Sequence, residues 1–580
     1  MLSKKNISIS GILLRIAVAW ALIAFVVYPV ASLLIQTFWQ DGSLSTEVVG
    51  KVFSSARAVK SLKNSFILAF TLVVTVNIVG TLCVLFTEYW DIKGANILRL
   101  SYMTSLIYSG VVLVSGYKYV YGANGLLTKL LLMVFPNMNP NWFVGYGAVV
   151  FVMTFSCTQN HMMFLKNAIH GLDYHTVEAA KNMGASGATI FFKVVLPVLK
   201  PTFFAITILT FLTGLGAMSA PLIVGGENFQ TINPMIITFS KSTYSREVAA
   251  FLAIILGVAT IILLSVFSRI EKNGNYVSVS KTKAKLTKQK INNPFLNALA
   301  HFVAWFMFVI YMLPIVLIVI YSFCDYNTIM TGDITASSFT LENYGKLFTS
   351  ADAIKPYVVS IVYSLSAAAL AAVISIICVR FVQKSKNKLN KLFEYGALIP
   401  WLLPSTLIAL GLTMAYGDRN PLIFNKVLVG TTVILLIGYV VIKLPFSYRM
   451  IRSAFFSVDE DLEDAAKCMG AGTFYTMRKV IIPVILPAVL SVMILNFNGL
   501  LADYDLTVFL YHPLFEPLGI VVKSASDENA SIDARCMSFV YTVVLMILSS
   551  VALYFGQGNG MQAIRRWKQK RIEKKVYSKS

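Results

Sequence analysis

Charge is scarce in this chain. Asp, Glu, Lys and Arg make up 13% of its 580 residues, while hydrophobic residues make up 57%. That balance excludes a string of soluble domains. Acidic charge is scarcest, with 27 Asp and Glu against 49 Lys and Arg. Cysteine is thin as well. Cys83, Cys157, Cys324, Cys378, Cys468 and Cys536 are scattered and no Cys-x-x-Cys occurs, so packing rather than metal or redox chemistry is their expected role. No Gly-x-x-x-x-Gly-Lys-Ser/Thr phosphate loop is present, and no polar segment has the length of a nucleotide domain; hydrolysis of ATP by this chain alone is not expected. Inside the apolar runs there is no paired-carboxylate, Ser/His or His-cluster constellation, which argues against a membrane-embedded enzyme.

What the chain has instead is apolar length. Mean hydropathy is +0.71, and runs of about 20 apolar residues, enough to cross a bilayer core, recur throughout. The fold class expected is an all-α membrane protein. Twelve spans are expected at about 16–38, 64–87, 98–121, 142–162, 194–218, 247–268, 297–323, 357–380, 392–416, 426–448, 481–502 and 534–556. The first follows Lys4, Lys5 and Arg15 and reads as a retained signal-anchor helix.

The net charge of +22 invites a nucleic-acid reading, but its distribution decides against one. With the N-terminus inside, most Lys and Arg fall in cytosolic segments, the asymmetry that sets membrane topology. The densest tracts, Lys281–Lys290, Lys384–Lys391 and Arg565–Lys579, suit anionic lipid. Residues 1–270 and 295–556 each hold six spans. They are separated by a polar linker, 271–294, and followed by a basic tail, 557–580. Six is even, so both halves enter from the cytosol as parallel repeats.

The strongest signal is a polar stretch that occurs twice. Residues 177–197 read VEAAKNMGASGATIFFKVVLP, and 463–483 read EDAAKCMGAGTFYTMRKVIIP. Gly470 lies 286 positions after Gly184, and Pro483 lies 286 after Pro197. Asp173 and Asp459, in the same register, are expected helix caps; Ser457 and Glu460 also have capping-box spacing. Ala179–Ala180 and Ala465–Ala466 stiffen a short helix. Gly184 and Gly470 end it in a left-handed turn, and each proline is expected to open the next span. The product is a stiff elbow at the cytosolic surface.

Glu178, Ala179, Ala180, Gly184, Val194, Leu196 and Pro197 resemble the cytoplasmic loop of binding-protein-dependent ABC importer permeases, with Val where Ile is usual. Asp464, Ala465, Ala466, Gly470, Val480 and Pro483 repeat it, with Asp for Glu and Ile482 for Leu. The resemblance covers the whole chain as two fused permease halves. It implies a multi-pass protein of the bacterial cytoplasmic membrane, with both termini cytosolic. It implies two copies of a separate ATP-binding subunit docked on the elbows, and an extracytoplasmic substrate-binding protein. It implies no cofactor or metal on this chain and no nucleic-acid partner.

GAMSAPLIVGG at 216–226 and DYDLTVFLYHP at 503–513 are similar to the ferric-iron branch of these permeases. Relatives of that branch carry phosphonates, sugar phosphates, thiamine or polyamines. Glu227, Asp503, Tyr504, Asp505 and Tyr511 are the candidate substrate-path residues, since carboxylates and phenols suit a hard cation; local capping or pairing by Asp503 and Asp505 is the plainer reading. Lys118, near the outer end of its span, either snorkels or serves function. An ion-coupled secondary carrier is the rival class. It would want carboxylates or histidines within spans, and the spans are nearly free of them.

Overall fold

The computed structural model describes residues 9–40, 42–104, 110–273, 287–331, 334–384, 388–527 and 530–556. The basic tail, most of the linker and part of each basic tract lie outside these residues.

In hydrocarbon every backbone N–H and C=O needs an internal partner, so the apolar runs become helices. Among the described residues, ten helices are long and apolar enough to cross a membrane, or eleven if one bent pair is counted as a span. The expectation of twelve is corrected at one place, and a second falls partly outside the described residues. The run read as 392–416 is two helices, Asn390–Leu402 and Ser405–Tyr416, bent by 111°. Leu403 and Pro404 between them are extended, because the ring of Pro404 disfavours a helical residue before it. The run read as 98–121 consists of Ala95–Tyr102 and Gly110–Tyr121, on either side of residues 105–109, which lie outside the described set.

The chain packs as two compact units that cut across the sequence repeat. One comprises Met1–Ser45, Ser350–Val521 and Val544–Ser580; the other comprises Thr46–Thr349 and Val522–Val543. In the first unit the N-terminal helix Gly11–Phe38 lies among helices of the second repeat. Trp20 Nε1 donates to Leu422 O at 3.0 Å, Asn420 Nδ2 donates to Tyr28 OH at 2.9 Å, and Tyr416 OH donates to Ala24 O. In the other unit the leading helix of the second repeat, Pro294–Ser322, lies among helices of the first. Tyr102 OH donates to Ala304 O at 2.7 Å, and Thr158 and Tyr311 share a hydroxyl bond of 2.7 Å.

Both placements use one device, a glycine set against a helix proline. A Cβ on Gly411 would come within 2.9 Å of Pro29 O, and a Cβ on Gly116 within 3.3 Å of Pro314 Cβ and 2.8 Å of Ile318. Small residues let membrane helices approach at backbone distance.

Candidate functional site

The first elbow begins at Asp173, whose carboxylate accepts from His175 N at 3.1 Å and starts the helix Tyr174–Asn182. The second begins at Asp459, which accepts from Asp461 N at 3.1 Å and starts Glu460–Cys468. Ser457 closes the preceding helix Thr432–Phe456 instead, and its hydroxyl donates back to Ala454 O at 2.8 Å. Both helices close alike. Gly184 N donates to Lys181 O and Ala185 N to Ala180 O; Gly470 N donates to Lys467 O and Ala471 N to Ala466 O. The glycines have φ of +78° and +80°, a conformation that costs an L side chain about 1–2 kcal/mol. A Cβ on either would meet nothing within 4 Å, so the constraint is the backbone angle alone.

The matched register extends further than the sequence suggested. Phe191–Val195 and Met477–Ile481, again 286 apart, are both π-turns. Leu196 N donates to Phe191 O and Ile482 N to Met477 O. The expectation that Pro197 and Pro483 open a span is corrected: each lies well inside a continuous helix, Gly187–Leu215 or Thr473–Leu500. The wider turn just before each ring accommodates a proline that has no N–H to give.

Each elbow has a buried and an open side. Ala180 and Ala466 are buried, as is Val177 in the first copy. Glu178, Ala179, Asp464 and Ala465 are exposed, and Met183 and Met469 at the tips are 81% and 82% exposed. A large apolar side chain repeated at both tips is a surface suited to a partner. Glu178 lies 3.7 Å from His175 and Asp464 lies 2.9 Å from Lys467; the bond from Asp464 holds the Lys467 ammonium above its ordinary range.

The substrate-path candidates are divided between the two units. Glu227 belongs to the unit Thr46–Thr349, and Asp503, Tyr504, Asp505 and Tyr511 to the other. Asp503 caps the short helix Thr507–Leu510, accepting from Leu506 N, Thr507 N and, at 2.9 Å, Thr507 Oγ1. Tyr504 is buried, and Asp505 and Tyr511 are half-buried. Among the described residues no group of three or more His, Cys, Asp or Glu could hold a metal ion. Glu227 instead edges a cavity of about 820 Å³ that also includes Lys118, whose Nζ donates to Ser526 O at 3.1 Å. Lys118 is therefore part of a cavity wall, which the snorkelling reading did not foresee.

Two polar groups inside spans escaped the sequence reading. Lys443 lies in Thr432–Phe456 and donates to Gly499 O at 3.5 Å. His161, buried in Tyr146–His170, shares a 3.0 Å bond with Asn77 Oδ1. A lone lysine within an apolar run was the available signal for the first. The helix Gly187–Leu215 ends before the GAMSAPLIVGG stretch, where the loop carbonyls of Gly216 and Ala217 accept from Asn233 and Thr231 at 2.7 and 2.9 Å.

Comparison with known proteins gives the same repeat. The family described as "Binding-protein-dependent transport system inner membrane component" matches residues 5–272 and 371–559. A probable ABC transporter permease protein of Sinorhizobium fredii is 34% identical over 93% of this chain and 95% of its own length. A ferric transport system permease protein of Actinobacillus pleuropneumoniae is 22% identical over 84% of this chain and 69% of its own. A probable sulfate transport system permease protein of Prototheca wickerhamii is 26% identical over 34% of this chain and 78% of its own. With the family matched once in each repeat, and each match containing one capped, glycine-closed elbow, this chain belongs to the inner membrane components of binding-protein-dependent ABC transport systems.

Proposed function

We propose that this chain is the translocating subunit of an importer, and that its two elbows are the seats of two copies of an ATP-binding subunit. The duplicated elbow carries the reading: cap, left-handed glycine, exposed methionine and π-turn recur 286 residues apart. A rigid, doubly fixed bracket passes a push into the helix it is continuous with. Closure of the ATP-binding subunits would thus rock the helices that begin at Gly187 and Thr473. The chain itself binds no ATP in this scheme. Elbows and termini are cytosolic in a bacterial plasma membrane, and a binding protein delivers cargo at the opposite face.

For the cargo we propose ferric iron. The ferric transport relative matches 84% of this chain, against 34% for the sulfate one. Phosphonate, sugar phosphate, thiamine and polyamine remain the alternatives. Glu227, Asp503, Tyr504, Asp505 and Tyr511 are the proposed substrate-path residues.

The test is reconstitution in proteoliposomes with a co-purifying ATP-binding subunit and a binding protein. Uptake that requires ATP and the binding protein is expected. Uptake driven by a proton or sodium gradient without ATP would instead establish the ion-coupled carrier.

A further inference from the structure

The cavity of about 820 Å³ in the unit Thr46–Thr349 has an unusual charge pattern. Its walls bear Arg57, Lys60 and Lys118 against Glu227 and Asp527. Asp527 is engaged by Lys523 at 2.7 Å, which leaves Glu227 facing three cations. Among the described residues neither Arg57 nor Lys60 has a carboxylate partner, and Lys118 donates to the carbonyl of Ser526.

Two of these cations are exposed at the start of one helix. Arg57 and Lys60 stand in the first turns of Ala56–Val84, which has no acidic residue there. A helix N-terminus carries partial positive charge and favours anions, by about 0.3–1 kcal/mol per group. Two cations at that end, uncompensated by protein, are balanced when an anion enters between them. The rest of the wall is held still: Asn64 Nδ2 donates to Gln230 O at 3.0 Å, and Gln230 Nε2 donates to Pro221 O at 3.3 Å.

The position fits a solute path. The helix runs on to Tyr89, whose ring packs on Phe191 of the first elbow at 5.7 Å. Arg57 is therefore about 48 Å along the helix axis from the elbow end. With the elbow cytosolic, the cavity is at the outer face, where a delivered solute arrives.

We propose that this cavity is an oxyanion site, with Arg57, Lys60 and Lys118 binding a phosphate-, phosphonate- or carboxylate-bearing solute as it enters. The assignment rests on the importer reading and refines its cargo. Iron would enter here as a complex whose oxygen ligands carry negative charge, since a bare trivalent cation is repelled by these groups.

The full chain in nanodiscs of neutral phosphatidylcholine tests this by equilibrium dialysis, with radiolabelled inorganic phosphate in one arm and ferric citrate in another. Saturable binding of either probe is expected, weakened at least about ten-fold in the Arg57→Gln/Lys60→Gln double variant. Phosphate binding assigns a free oxyanion; binding of ferric citrate alone assigns an oxyanion-ligated complex. Binding of neither, or equal binding by wild type and variant at matched thermal stability, overturns the proposal. Binding that vanishes once phosphatidylglycerol is included assigns the cavity to lipid headgroups and also overturns it. A Gly184→Val/Gly470→Val variant separates the two readings: it should lose stimulation of the ATP-binding subunit while keeping wild-type probe binding.

Discussion

Arg380 grips Glu463 with both ends of its guanidinium: Nη1 donates to one carboxylate oxygen at 2.8 Å and Nη2 to the other at 2.6 Å. Arg380 lies near the end of the helix Ala351–Lys384, and Glu463 lies in the second elbow. Both side chains are mostly buried, at 10% and 19% exposure. The first elbow has Val177 at the matching position, buried among Leu172, Ile169 and Tyr89. One elbow is thus fastened by charge and the other by apolar packing.

This asymmetry predicts different responses to truncation. Removing Glu463 takes the carboxylate from a buried guanidinium, a loss of about 3–5 kcal/mol, while Arg380→Ala leaves Glu463 with Lys467 at 3.5 Å. Arg380→Ala and Glu463→Ala should each lower ATPase stimulation strongly, and the double variant should be less impaired than the sum. A double-mutant cycle on thermal stability should show coupling of at least about 1 kcal/mol. Additive losses would mean that the pair does not hold the elbow.

At the two glycines the angle matters and the space does not. Gly184→Asn and Gly470→Asn should be milder than the Val variants, since Asn tolerates the left-handed region and β-branched residues do not. The difference should be about 1 kcal/mol in stability, and ATPase stimulation should follow the same order. Equal effects of Asn and Val would point to a contact at the glycine instead.

The prolines fix the π-turns. In Pro197→Ala the new N–H can donate to Lys193 O, which lets the wide turn tighten to an ordinary α-turn. The elbow would then rotate relative to its span. Normal expression with reduced coupling is expected for Pro197→Ala and Pro483→Ala, read as transport per ATP hydrolysed. Wild-type coupling in both would show that the π-turns are passive.

Cys468 reports topology. It is exposed on the second elbow, while Cys83, Cys324, Cys378 and Cys536 are buried and Cys157 is half-buried. A membrane-impermeant maleimide should label Cys468 in inside-out vesicles and not in right-side-out ones. Bound ATP-binding subunit should protect it. Labelling from the outside would remove the coupling site from the cytosol and end the importer scheme.

The length of the apolar runs and the spacing of the elbow residues are local properties, and they determined the helical membrane fold, the internal repeat and the family by themselves. Caps at Asp173 and Asp459 and turns at Gly184 and Gly470 were legible because each depends on residues a few positions apart. Tertiary structure decided what depends on distant neighbours. The reciprocal placement of Gly11–Phe38 and Pro294–Ser322 rests on glycine–proline approaches across nearly 400 and 200 residues of chain. Capping by Asp503 was the plainer reading of the sequence, and which groups it caps, Leu506 and Thr507 through Oδ2, is visible only in the fold. Arg57 and Lys60 are neighbours on one helix, but Lys118 lies on another, and only packing brings it to the same cavity. Lipid-facing helices need only be apolar, so their sequence does not encode which neighbours they meet; the few polar contacts and small-residue approaches that choose those neighbours exist only in the folded chain.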